Sequence, residues 1–191
     1  MEIVSAEIRD ELFKDEDQNA EVWIGAPLAF FSEKEIIPFR FLDDRYVMIF
    51  QQVTDAAGGE QYVSVLAPDF ADGFVPVAQA RIMKFARADA RLEAAYSPNL
   101  WKLADHRYIF QFFEALRSVV ELYVQIYPEI EQYFYTAATP QLQLCYARMF
   151  HRLPEKSCLI DFEPLEAKLG NYYGFQRKQT GEQGNLANEA G

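Results

Sequence analysis

The chain has 191 residues, of which 50% are hydrophobic and 15% aromatic, and its formal net charge is −11. So much apolar and aromatic material excludes a disordered chain and predicts one packed domain of ordinary size. The negative charge argues against direct nucleic-acid binding, because phosphate contacts need clustered lysine and arginine. It favours either a partner with a basic surface or simple solubility.

The sequence shows no targeting segment and no metal-binding motif. No apolar run approaches the roughly 20 residues that span a bilayer, and the N-terminus lacks the order of a signal peptide. The cysteines, Cys145 on a predicted helix and Cys158 in a predicted strand, are expected to be buried thiols. His106 and His151 lack metal-ligand spacing. We therefore expect a cytoplasmic, reduced protein without a metal and without membrane contact.

The N-terminal segment is strongly acidic. Its first 21 residues hold eight acids and two bases. We predict residues 1–22 to be an acidic N-terminal arm or a first strand, which is either a solvated segment or a docking surface for a basic partner. A single globular domain is predicted over 23–178, followed by a disordered polar tail over 179–191.

The region Ile36–Leu92 predicts an antiparallel meander, because short β-branched and aromatic runs alternate with turn residues. A strand at Tyr46–Phe50 is expected to return at Gln61–Leu66 after a loop that contains two glycines. Phe74–Phe85 predicts a further strand or two. Arg87–Tyr96 either extends the last strand or forms a short helix.

A helix, a strand and a second helix follow. The first helix has apolar side chains every three or four residues, begins at the N-cap Asp105 and stops before Pro128. The aromatic run Ile130–Thr136 predicts a strand. Thr139-Pro140 provides the cap and the first-turn proline of a second helix, which should continue to Leu153.

Two closing strands are predicted, over Lys156–Phe162 and within Asn171–Lys178. The predicted fold class is thus α/β (α+β): an antiparallel meander followed by helix–strand–helix–strand, forming a mixed sheet.

This order of elements resembles the GNAT (N-acetyltransferase) superfamily. The strand Ile130–Thr136, a small residue and a helix with the pair Cys145-Tyr146 are similar to the superfamily's strand, small residue and helix with a Leu-Tyr pair. The resemblance implies that Tyr146 is the catalytic candidate, at the position of the tyrosine that protonates the departing coenzyme A thiolate.

The chain departs from that superfamily at the start of the long helix. Catalytic members hold the cofactor pyrophosphate there with a glycine-rich turn, whose bare backbone lets amides approach phosphate. The matching residues 100–107 contain no glycine, and Asp105 places a carboxylate where phosphate would lie. Lys102, His106 and Arg107 are the candidate cofactor-binding side chains. No cofactor is therefore expected, and acetyl-CoA is implied only under an enzymatic alternative.

Bases are concentrated in the middle of the chain, in a band with few acids. This basic band comprises Arg81, Lys84, Arg87, Arg91, Lys102 and Arg107. It predicts a contact with the acidic segment, within one chain or across a homodimer, or else an anion site; the sequence leaves both open.

The sequence thus favours a non-catalytic acidic protein-binding or inhibitory module on a GNAT-like scaffold, of the kind found in phage, toxin–antitoxin and defence contexts. One alternative is a divergent N-acyltransferase that uses acetyl-CoA, with Tyr146 as general acid and a meander carboxylate as base. A second alternative is a structural protein that associates with itself through its aromatic surface.

Overall fold

The computed structural model describes residues 4–30, 34–53, 70, 74–91, 106–136, 153–165 and 172–178. These residues form an α+β fold with an eight-stranded, mostly antiparallel open sheet and two α-helices. The predicted fold class is confirmed.

Each of the two helices lies directly before a strand in chain order. Helix α1 is Ala6–Leu12, and α2 is Ile109–Ile126, which follows a 3₁₀ turn at His106–Tyr108. The strands in chain order are β1 Val22–Ile24, β2 Leu28–Ala29, β3 Lys34–Phe41, β4 Asp44–Gln52, β5 Ala80–Arg87, β6 Gln132–Thr136, β7 Phe162–Leu165 and β8 Tyr172–Arg177.

The sheet has one parallel junction. The strand order is β1-β3-β4-β5-β6-β8-β7, with β2 also beside β3. All neighbours are antiparallel except β5 and β6, whose paired residues run from Ala80 opposite Gln132 to Met83 opposite Tyr135. A parallel pair needs a long crossover, and α2 lies in it.

Apolar clusters cover both faces of the sheet. Successive side chains of a strand point to opposite faces, so each strand can contribute to both. The main core lies between the sheet and α2 and includes Phe39, Met48 and Tyr133. Two smaller clusters cover the other face. One joins Val4, Leu12 and Phe13 to Ile36, Val47 and Ala88, and the other joins Val53 and Phe70 to Ala80, Ile82 and Phe134.

Helix α2 begins later than predicted and ends as predicted. Tyr108 is its N-cap and makes no side-chain capping bond, and the 3₁₀ turn occupies the preceding residues, as is common at helix starts. The predicted cap Asp105 lies outside the described residues. At the other end Tyr127 is the C-cap, since Pro128 cannot continue the helix.

The prediction of a strand at Lys156–Phe162 is wrong. Cys158–Asp161 forms a 3₁₀ helix, and the strand begins only at Phe162. The Ser157 hydroxyl accepts a hydrogen bond from the Leu159 amide at 3.2 Å, and such local capping competes with extended backbone. Pro164 fits within β7 because that strand is at an edge of the sheet.

The other closing strand and the β5 region are closer to expectation. Strand β8 lies within the predicted Asn171–Lys178, and β5 occupies the end of the predicted Phe74–Phe85 and continues to Arg87. The predicted return strand Gln61–Leu66, the second helix before Leu153 and the tail 179–191 lie outside the described residues. Of the helices in the described ranges, none combines the length and apolar character needed to cross a bilayer.

Candidate functional site

The acidic N-terminal segment, residues 4–21, is folded against the sheet. The Ser5 hydroxyl accepts a hydrogen bond from the Ile8 amide at 3.4 Å and caps α1. The segment's side chains Val4, Leu12 and Phe13 are buried against the sheet. This differs from the solvated arm or first strand predicted for residues 1–22, and the apolar residues within the acidic run were the available signal.

Glu16 fastens this segment to the sheet. Its carboxylate lies 2.5 Å from Arg40 Nε and 2.7 Å from Arg45 Nη2, and the Glu16 side chain is only 4% exposed. Arg40, 8% exposed, also donates to main-chain carbonyls, including that of Asp17 at 2.8 Å. Paired and hydrogen-bonded charges of this kind hold a fixed geometry. The acidic segment therefore has an intramolecular basic contact, but with β3 and β4 bases outside the predicted basic band.

The same guanidinium holds the turn between β3 and β4. Leu42 adopts φ 53°, a left-handed conformation that is uncommon outside glycine and asparagine. Arg40 donates to the Leu42 carbonyl oxygen, and the Leu42 amide donates to Glu21 O at 2.8 Å. The Leu42 amide thus ties the turn directly to the end of the acidic segment, and Arg40 links the turn to that segment through its own contacts with Glu16 and Asp17.

The remaining acids of the segment include four that are exposed and unpaired. We call Glu7, Asp10, Asp15 and Glu21 the unpaired acids, because none forms an ion pair with another described residue and none accepts a side-chain hydrogen bond as Asp17 does from the Asn19 amide. Glu11, by contrast, pairs with Lys14 at 2.5 Å. The fold therefore presents uncompensated negative charge from a segment whose position is fixed.

The predicted cofactor-binding residues lie, where described, at the start of α2. His106 and Arg107 belong to the 3₁₀ turn, and Arg107 is exposed, whereas Lys102 lies outside the described residues. Helix α2 runs antiparallel to β5, since Phe112 near its start contacts Phe85, with ring centroids 5.9 Å apart, and Tyr123 near its end contacts Arg81. The turn therefore lies near the carboxyl end of β5.

The parallel strands next to this turn end unevenly. The last β5–β6 pair is Met83 with Tyr135, whereas β5 continues to Arg87, paired there with β4 alone within the described ranges. Ligands often bind beyond the carboxyl ends of parallel strands, next to a helix N-terminus. The predicted catalytic Tyr146 lies outside the described residues.

Carboxylates neutralise the base at this end of the sheet. Arg87 Nη1 lies 2.9 Å from Asp44 Oδ1, and Arg87 Nε donates to Asp89 Oδ1 at 3.0 Å. The hydrogen bond from Arg87 holds the pKa of Asp89 below its usual value and raises the pKa of Arg87. This member of the basic band is therefore engaged with two acids rather than presented to an anion.

A second polar cluster lies near the other end of α2. Arg81 Nε donates to Tyr123 Oη at 3.1 Å, and Tyr123 donates to Glu35 Oε2 at 3.1 Å. The Tyr123 ring is stacked on Phe50 with centroids 3.6 Å apart. Burial raises the pKa of Tyr123, so its hydroxyl keeps its proton at neutral pH. Glu35 is a meander carboxylate of the kind predicted as a base, but it is held by this network.

Sequence reasoning missed this cluster for a physical reason. Glu35 and Tyr123 are 88 positions apart, and only the register of the sheet under α2 brings them together. The one local signal was Tyr123 on the apolar face of the helix, which indicates burial and not a partner.

Cys158, the cysteine among the described residues, lacks the environment of a reactive thiol. Cys158 Sγ donates to the Glu121 carbonyl oxygen at 3.6 Å, and burial raises the pKa of its thiol. Reactive cysteines need a lowered pKa. It lies in the 3₁₀ helix and is half-buried, rather than in the predicted strand, and Cys145 lies outside the described residues. In the described parts of the chain, no three His, Cys, Asp or Glu side chains form a group that could hold a metal ion.

Within residues 4–21, the unpaired acids are exposed carboxylates without an ion-pair partner among the described residues, so they can contact an external partner. Comparison with protein-family models, with curated proteins and with solved structures finds no match for this chain.

Proposed function

We propose that this protein is a non-catalytic protein-binding or inhibitory module whose N-terminal acids bind a partner with a basic surface. The observation that carries this proposal is the state of Glu7, Asp10, Asp15 and Glu21, which are exposed and unpaired on a segment fastened by Glu16. Charges presented from a fixed frame lose little conformational freedom on binding and steer an oppositely charged partner into contact.

The pKa shifts of three described groups make those groups poorly suited to acid–base catalysis at neutral pH. General acids and bases work best with pKa values near the operating pH. The pKa of Asp89 is lowered by Arg87, and burial raises the pKa values of Tyr123 and Cys158, so each moves away from neutrality. Each of these three groups is therefore expected to keep one protonation state near neutral pH.

The proposal is tested by calorimetry with a lysine–serine repeat peptide. We expect the triple variant Glu7→Gln/Asp10→Asn/Asp15→Asn to bind this peptide about tenfold more weakly, since each lost ion pair is worth roughly 0.2–1 kcal/mol. The matched control, Glu129→Gln/Glu131→Gln/Glu155→Gln, removes the same charge from exposed acids elsewhere. Equal weakening in both variants, or no binding by the wild-type protein, would contradict the proposal.

A divergent N-acyltransferase is the second candidate. The order of elements supports a GNAT-like scaffold as part of this proposal: antiparallel β3–β5, the crossover helix α2, the parallel strand β6 and the closing β7–β8 pair. The start of α2 beside the uneven ends of β5 and β6 is the observation that favours it. Acetyl-CoA would then be bound by Lys102, His106 and Arg107, with Tyr146 as general acid.

Calorimetry with acetyl-CoA separates the two candidates. Micromolar binding that is lost in Arg107→Ala, together with acyl transfer that is lost in Tyr146→Phe, would support the enzyme. The absence of heat at millimolar acetyl-CoA would count against it and leave the binding module.

A further inference from the structure

A groove with a volume of about 270 Å³ lies between β1 and the first half of α2. Val22 and Phe41 line it on the sheet side, and Tyr108 and Ala115 line it on the helix side. Val22 and Tyr108 are each 37% exposed, so the groove presents apolar surface to solvent. Such surface beside polar groups is typical of interaction sites.

Strand β1 borders the groove, and its outer edge has no strand partner among the described residues. Within the described ranges β1 pairs only with β3, with Trp23 opposite Arg40, and the flanking bonds are Leu42 N to Glu21 O and Gly25 N to Pro38 O, both 2.8 Å. Main-chain groups alternate in direction along an antiparallel strand. Val22 and Ile24 therefore direct their N–H and C=O groups away from the sheet.

The charge at the groove is negative. Glu21 lines the groove and is one of the unpaired acids. Glu114 lines the helix side and accepts a hydrogen bond from Arg117 Nη1 at 3.0 Å. A basic side chain lying over the groove would meet the Glu21 carboxylate, while neighbouring apolar atoms would cover Val22 and Tyr108. Long basic side chains suit this surface because their stems are apolar and their ends are charged.

We propose that β1 and this groove bind an extended segment of a basic partner protein. The segment adds a strand to the sheet through Val22 and Ile24 and places a lysine or arginine against Glu21. An extended segment fits better than a helix, because only an extended backbone satisfies the outward N–H and C=O groups of β1. This inference rests on the proposed function and names the surface at which it acts.

The test uses a lysine–valine repeat peptide and the full chain labelled with ¹⁵N. On titration we expect the largest amide shifts at Val22, Ile24 and Ala115. Val22→Pro removes an outward N–H and no bond to β3, so it should weaken binding about tenfold. Val22→Ala keeps that N–H and should weaken binding less.

A charge variant keeps the test independent of whether Val22→Pro folds. Glu21→Gln leaves the main-chain bond to Leu42 and should weaken binding severalfold, whereas Glu155→Gln, which removes an exposed charge elsewhere, should leave binding unchanged.

The possible outcomes separate this inference from the proposed function. A peptide that binds with shifts confined to α1, or whose affinity is unchanged by both Val22→Pro and Glu21→Gln, would overturn the groove assignment while the proposed function stands. If neither repeat peptide binds, both fail. If Val22→Pro instead converts a dimer into a monomer and no peptide binds, the edge is occupied by a second copy and the inference is overturned.

Discussion

Two buried tyrosines differ in whether their hydroxyl groups have partners. The Tyr123 hydroxyl lies between Arg81 and Glu35, whereas the Tyr133 hydroxyl is buried without a hydrogen-bond partner in the described parts of the chain. We expect Tyr123→Phe to lower the free energy of unfolding by about 1–2 kcal/mol, because it leaves a part-buried charged pair less satisfied. Tyr133→Phe should be neutral or slightly stabilising, because it removes an unsatisfied buried group. Urea unfolding of both variants checks this, and equal losses would refute it.

The Glu16 contact is the other prediction at the residue scale. We expect Glu16→Gln to lower the free energy of unfolding by about 3 kcal/mol, because Arg40 then remains buried without its counter-charge. Glu11→Gln is the control, since Glu11 pairs with Lys14 at the surface and its loss should not change unfolding measurably. Urea unfolding with identical midpoints for the two variants would show that Glu16 does not fasten the segment.

At the scale of elements, the seating of α2 depends on Phe112. Its ring centroid lies 5.1 Å from Tyr46, 5.4 Å from Phe41 and 5.9 Å from Phe85, so it contacts three strands. Phe112→Ala should lower the free energy of unfolding by about 3–5 kcal/mol through a cavity between helix and sheet. Ile126 is the last residue of α2 and is 45% exposed, so Ile126→Ala should lower the free energy of unfolding far less. Guanidinium unfolding measures both, and a cost for Phe112→Ala no larger than the control would contradict this packing.

How well an element could be predicted depended on whether its signal is local. The periodicity of α2 and the stop at Pro128 are local, so the helix was placed correctly apart from its first turn. Helix α1 was missed because it is seven residues long and its packing depends on distant residues, including Arg40. The strand at Phe162 was shifted because Ser157 caps a turn that residue type alone did not reveal.

The candidate site shows the same division. His106 and Arg107 are neighbours in sequence, so their position in one turn could be predicted without knowledge of the fold. The ion pair between Arg87 and Asp44, by contrast, depends on the pairing of β4 with β5. The acidity of the N-terminal segment could be read from sequence, but which of its acids remain unpaired could not, because Glu16 differs from Glu7 only through its contacts.

At the scale of the whole molecule, buried tyrosines should determine stability in alkali. Burial raises the pKa values of Tyr46, Tyr123, Tyr133 and Tyr135. Above pH ~10 the unfolded chain loses these protons while the folded chain keeps them, so the stability present below that pH falls as pH rises. We expect tyrosinate absorbance to rise steeply and together with loss of near-UV circular dichroism. A gradual titration of these tyrosines with the dichroism intact would contradict it.

The proposed binding module and the alternative acyltransferase differ in whether the chain binds a basic protein or a nucleotide. The most direct measurement is the melting temperature in the presence of the lysine–serine peptide and, separately, of millimolar acetyl-CoA. A ligand at 100 times its dissociation constant stabilises the folded state by about 2.7 kcal/mol, which a melting curve resolves. We expect the peptide to raise the melting temperature and acetyl-CoA to leave it unchanged. A rise with acetyl-CoA and none with the peptide would contradict the proposed binding module.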